Sequence, residues 1–159
     1  MPDLLPRFAR CPVIVAPMAG GTSTPGLVTA AAAAGGIMSH RDVRAALAAG
    51  AVAAQCGTAF LRCPESGAQP LHKAALADPA FTATAVTRAF TGRPARGLVN
   101  RFMLDHPDAP PAYPEVHCAT RPLRAAAGDA SRINLWAGEG FRAATARPAA
   151  EVVALLTGR

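Results

Sequence analysis

The chain has 159 residues, 51% hydrophobic and 5% aromatic, with a formal net charge of +6, so it is long and apolar enough to bury a core and is not a disordered chain. Its basic charge is carried by scattered arginines, with Lys73 the only lysine, and matches no nucleic-acid-binding motif. No segment approaches the roughly 20 apolar residues of a membrane span, no secretory leader precedes Val13, and Cys11, Cys56, Cys63 and Cys118 form no zinc pattern; a cytoplasmic protein with reduced thiols is expected, without nucleic-acid or membrane partners.

Val13-Ile14-Val15, an apolar run closed by Pro17 and Gly20-Gly21, predicts a buried parallel strand. Thr24 as N-cap with Pro25 at the first helical position opens a helix over Gly26 to Ala34, which Gly35-Gly36 ends. Ser39 or His40 opens a second helix, Arg41 to Ala49, followed by a strand over Ala51 to Gln55. Cys63 to Gly67 reads as a loop, Pro70 to Leu76 as a short helix, and Thr82 to Phe90 as extended. Helices are expected over Arg96 to Leu104, Pro122 to Ala127, Ala143 to Ala146 and Ala149 to Leu156, with a proline-rich loop from Pro107 to Pro114 and another loop from Asn134 to Gly140.

The pair Gly35-Gly36-Ile37 and Gln55-Cys56-Gly57-Thr58 has the spacing of one strand-loop-helix-strand unit. In parallel α/β barrels the loops after the last two strands commonly meet at a phosphate held by backbone N–H groups. Gly35 and Gly36 would let the backbone approach such a phosphate, and Gly57-Thr58 would add two N–H donors and a hydroxyl. A glycine pair also serves simply to end a helix, and that reading stands beside the first.

Pro12 to Gly21, Ala34 to Ile37 and Ala53 to Leu61 resemble the nitronate monooxygenases, formerly called 2-nitropropane dioxygenases. Thr87 to Arg93, Arg96 to Asn100 and Leu135 to Gly138 resemble the tail of the same family. The resemblance implies an FMN-dependent α/β barrel enzyme that oxidises alkyl nitronates with dioxygen and without a metal. It implies that Ala16, Pro17 and Met18 lie with their backbone against the flavin ring. It also implies that Gly36, Gln55, Cys56, Gly57 and Thr58 hold the flavin phosphate, Cys56 through its backbone rather than its thiol.

The departure from the family is internal. Where the family places most of the barrel between the first βα unit and the phosphate loop, here Leu27 to Ala34 runs straight into Gly35-Gly36-Ile37. Strands two to seven have no residues to form them, and Ala31 to Gly36 has the look of two similar stretches fused by a deletion. The expected fold is therefore α/β, an incomplete TIM-barrel type comprising the first and last βα units, in one domain over 1–159. Residues 1–61 would be the barrel remnant with its phosphate cradle and 62–159 a mostly helical cap and C-terminal region. The family's catalytic histidine falls in the missing segment, so no catalytic residue is assigned; His40, His72, His106 and His117 are expected to be exposed or partly packed. Three functions compete on these grounds: an impaired FMN-dependent nitronate oxidoreductase, an inactive remnant that binds at most a flavin phosphate or a partner, and a basic nucleic-acid-binding protein. Unpaired strand edges at Val13 to Val15 and Ala51 to Gln55 are expected to drive self-association.

Overall fold

The computed structural model describes residues 12–15 and 36–159, which fall into two compact units. One contains the described residues up to Gly67 together with Gly140–Arg159, and the other is Ala68–Glu139. The division does not follow the expected boundary at residue 61: the last twenty residues belong with the first unit. The expected helix over Gly26 to Ala34 lies outside the described residues.

In the first unit, β1 (Val13–Val15) pairs in parallel with β2 (Ala54–Cys56), and Ala54 N–H donates to the Pro12 carbonyl at 2.7 Å. β-Branched residues at every position of β1 suit a pleated surface. β2 is shorter than expected and begins later, its pairing confined to Ala54 to Cys56 opposite Val13 to Val15. Between the two strands α1 (His40–Ala48) starts at Ser39, whose hydroxyl accepts from Asp42 N–H while the Asp42 carboxylate returns to the Ser39 N–H, a capping box.

The core of this unit gathers Ile37, Val43, Ala54, Cys56, Ala59, Phe60, Cys63, Val152 and Leu156. A short 3-10 turn, Thr58–Phe60, follows β2 directly. The helix expected over Ala143 to Ala146 is instead a 3-10 turn at Phe141–Ala143, and the final helix spans Ala149–Thr157. That final helix, α5 in chain order, begins where both Glu65 carboxylate oxygens stand 3.1 Å from Ala149 N–H and ends on Gly158 in the left-handed conformation at φ +74.

The second unit opens with α2 (Pro70–Ala75) and is built around an antiparallel hairpin, β3 (Thr84–Thr87) with β4 (Ala95–Leu98). The expected helix over Arg96 to Leu104 is therefore a strand followed by a short helix, α3 (Arg101–Asp105). Two partners remote in sequence override the local pattern: β3 on one side, and the Leu135–Ala137 stretch on the other, with Leu98 N–H to Leu135 carbonyl at 2.9 Å and Ala137 N–H to Arg96 carbonyl at 3.1 Å. Gly97 permits that second approach, since a Cβ there would stand 2.8 Å from the Leu135 carbonyl oxygen. Phe90, fully buried, stacks on Phe102 at 4.9 Å and meets the edge of Trp136 at 5.6 Å. The helix expected at Pro122 starts earlier, as α4 (Glu115–Ala126), with Pro122 inside it.

The described residues form a mixed α/β structure with no closed barrel among them. Among them, no helix is long and apolar enough to cross a membrane.

Candidate functional site

The register of the parallel pair sets where Gln55 and Cys56 of the predicted cradle fall. Val13 stands opposite Ala54, Ile14 opposite Gln55 and Val15 opposite Cys56, so both strands end at one edge and Gly57-Thr58 leaves β2 there. Ala16, Pro17 and Met18, assigned to the flavin ring, lie outside the described residues, as does Gly35. Gly36 has φ +93, a conformation that L side chains rarely adopt, which fits a backbone exposed for close approach. Ile37 shares its core with Cys56 and Ala59, so the Gly36 loop and the Cys56–Thr58 turn rest on the same packed side chains.

The N-terminus of α1 closes on itself. The Asp42 Oδ2 accepts from Met38 N–H at 3.0 Å, Ser39 N–H at 2.9 Å and Ser39 Oγ–H at 2.8 Å. These bonds, led by that from Met38, hold the Asp42 carboxyl below its ordinary value. The amides of Met38 and Ser39 are thus committed to Asp42. Cys56 is buried, and burial first, then the nearby Asp42 charge, pushes its thiol up to about 11. A thiol kept protonated at neutral pH is a poor nucleophile, which agrees with a backbone role.

A second chemical cluster, absent from the sequence reading, lies within the other unit. Arg93 sits 3.8 Å above the Tyr113 ring, and that ring is 6.1 Å from His117. Arg124 then donates to Thr120 Oγ1, Asn134 Oδ1, the His117 carbonyl and His117 Nδ1, at 3.1 to 3.3 Å. A guanidinium only donates, so Nδ1 is the acceptor in this contact. None of these partners is a carboxylate, and no carboxylate lies within ion-pair distance of Arg93 or Arg124 among the described residues. Burial first, then the Arg121 charge, lowers the Arg124 pKa. The i, i+3 and i+7 spacing of His117, Thr120 and Arg124 on one helix face was the signal available for this row.

The histidines are placed individually. His72, expected at the surface, is buried at 8% exposure; burial lowers its pKa against a hydrogen bond with the Trp136 backbone, and its Nε2 has no partner among the described residues. Its sequence signal was the apolar face it shares with Ala75 on α2. His40 places Nδ1 3.2 Å from the Leu156 carbonyl, while His106 stacks on Phe102 at 4.3 Å and bonds its carbonyl at 2.9 Å. Among the described residues no group of three or more His, Cys, Asp or Glu is arranged to hold a metal ion.

The nitronate monooxygenase family profile matches residues 31–158. A nitronate monooxygenase of Pseudomonas aeruginosa is 47% identical over 131 residues, covering 78% of this chain and 37% of its own length. A probable nitronate monooxygenase of Bacillus subtilis is 39% identical over 119 residues, covering 71% of this chain and 34% of the relative. Among solved structures, a nitroalkane oxidase from Streptomyces ansochromogenes superposes with a TM-score of 0.76 at 58% identity, over 78% of this chain and 37% of that one. FabK from Thermotoga maritima shares the fold alone, with a TM-score of 0.61 at 24% identity over 98% of this chain and 57% of its own. The chain spans little more than a third of the length of the curated relatives it matches.

Proposed function

Since the chain belongs to the nitronate monooxygenase family, we propose that it is an FMN-dependent oxidoreductase of that family, acting on alkyl nitronates with dioxygen through an incomplete TIM-type barrel. The observation that carries this reading is the parallel pairing of β1 and β2 with Val15 level with Cys56. First and last strands are neighbours in a closed barrel, and their loops then share the edge at which barrel enzymes bind their ligands.

The residues present fit a flavin phosphate. Gly36 at φ +93 opens its loop to close approach, and Gly57 and Thr58 leave the end of β2, directly after Gln55 and Cys56, at the edge where β1 also ends. The bound flavin would supply the redox chemistry, accepting an electron from the nitronate, with dioxygen as the other reactant. Ala16, Pro17 and Met18, following β1, would lie against its ring. The free thiols of Cys56 and Cys118 accord with a reducing, cytoplasmic setting.

Two measurements test the proposal. The purified chain, mixed with FMN and desalted, should keep a flavin absorption band, and a nitronate such as propane-2-nitronate should then drive oxygen uptake. A colourless protein would refute the cradle; a yellow protein without oxygen uptake would leave a flavin-binding remnant and refute the enzymatic reading. Among the described residues β1 and β2 pair only with each other, and we propose that their outer edges bring copies together. A sharp monomer peak in size-exclusion chromatography would overturn that part.

A further inference from the structure

Gly140 has φ −78 and ψ 15, a conformation open to any residue, so its backbone does not need glycine. Its surroundings do. A Cβ at Gly140 would stand 2.5 Å from Met38 Cγ and 3.2 Å from the Gly36 carbonyl oxygen, where separations under 3.0 Å essentially never occur. With Met38 in this rotamer a Cβ does not fit, and the Gly140 backbone lies directly against the loop from Gly36 to Met38.

The residues that follow reach the other half of the cradle. The Phe141–Ala143 turn is closed by Ala143 N–H to the Gly140 carbonyl and Ala144 N–H to the Phe141 carbonyl, both at 3.0 Å, and it packs on the Thr58–Phe60 turn. Phe141 and Ala144 are each 3% exposed. Arg62, two residues past the Thr58–Phe60 turn, donates from Nη1 to the Ala144 carbonyl at 2.8 Å across 82 positions of sequence.

We infer that residues 140–144 are a clasp that sets the separation of the two phosphate-holding loops, with Gly140 the positioning residue and Arg62 its tether. The inference rests on the flavin-phosphate reading above and extends it to a segment that does not touch the phosphate. Two sets of N–H donors hold one phosphate only if both stay within hydrogen-bond distance of it, and a supporting shell loosened by about 1 Å forfeits that.

The test is a rescue series in the full chain, titrated with FMN. Gly140→Ala should weaken FMN binding about tenfold, as overpacking of this size costs. Adding Met38→Ala removes the Cγ in the way and should restore binding to within about threefold of the parent, while Arg62→Gln, which releases only the tether, should weaken it about threefold. A folded Gly140→Ala chain that binds FMN like the parent overturns the inference, as does a double variant no better than the single. If Gly140→Ala does not fold, the Arg62→Gln result decides. If the parent itself retains no FMN, the functional reading fails and the clasp is judged by amide hydrogen exchange. Gly140→Ala must then speed exchange at both Ile37–Ser39 and Thr58–Phe60, with Met38→Ala reversing it; faster exchange confined to residues beside 140 overturns it.

Discussion

Asn100 offers the sharpest test of how the second unit is held together. Its side chain is 5% exposed and serves three bonds at once: Oδ1 accepts Met103 N–H at 3.2 Å as the N-cap of α3, while Nδ2 donates to the Ala130 carbonyl at 2.9 Å and the Ile133 carbonyl at 2.8 Å. Asn100→Ala removes the cap, worth about 1 kcal/mol. It also leaves a buried carbonyl at Ile133 without its donor, about 1.5 kcal/mol, and a half-buried one at Ala130, about 0.5 kcal/mol. The expected loss is about 3 kcal/mol, a large part of the margin of a small domain.

Asn100→Asp separates the terms. Aspartate caps a helix as well as asparagine does, but it would turn a carboxylate oxygen toward two carbonyls in place of an amide that donates to both. Asp should therefore destabilise at least as much as Ala. Urea unfolding followed by the fluorescence of Trp136, the only tryptophan, reads both variants directly. If Asn100→Asp stays within about 1 kcal/mol of the parent, capping is the residue's main contribution and the tie to residues 130–133 is not. The tie matters beyond stability because Asn134, the next residue, receives the Arg124 guanidinium at 3.1 Å.

Iodoacetamide at pH 8 should label exposed Cys118 and spare Cys56 and Cys63, both buried, with the Cys56 thiol also held protonated by its value of about 11; mass spectrometry of the peptides reads the pattern. His72 has a folded pKa below its ordinary 6.5, so the unfolded chain binds the proton more readily. Its contribution to stability is full above pH 6.5 and falls as pH drops from 6.5 toward the lowered folded value. Urea midpoints at pH 7.5, 6.5 and 5.5 should show that decline, and His72→Phe should flatten it. Gly92→Ala should abolish folding or cost about 3 kcal/mol or more, because φ is +78 and the new Cβ would stand 2.4 Å from the Ala112 carbonyl oxygen, which is backbone and cannot rotate away; a soluble variant with the parent's urea midpoint would refute this.

What was legible in the sequence was what is decided locally. Val13 to Val15 reads as a strand because every residue is β-branched, and α1 reads correctly because Ser39 and Asp42 form their capping box within four residues. The need for glycine at position 36 was legible for a similar reason: φ +93 is a property of one residue's backbone. β4 was not, since Arg96 to Leu104 carries an apolar pattern compatible with a helix, and only β3 and the Leu135 carbonyl, outside that window, convert its first half to a strand. His72 failed in the same way, its burial depending on a contact with the Trp136 backbone 64 positions away.

Gly140 marks the limit of that local reading most plainly. Its preceding neighbour Glu139 pairs with Arg96 at 3.1 Å, and Gly138-Glu139-Gly140 looks in sequence like an ordinary turn. Glycine in a turn is normally explained by positive φ, yet at φ −78 that explanation does not apply here. The requirement comes from Met38 and the Gly36 carbonyl, about a hundred residues upstream. A sequence motif can therefore name the residues that would face a phosphate, because their backbone chemistry is their own, while the residues that hold those loops apart are defined only by what they leave room for. The Gly36 loop takes its conformation from its own backbone and its place from a glycine it meets only in the folded chain.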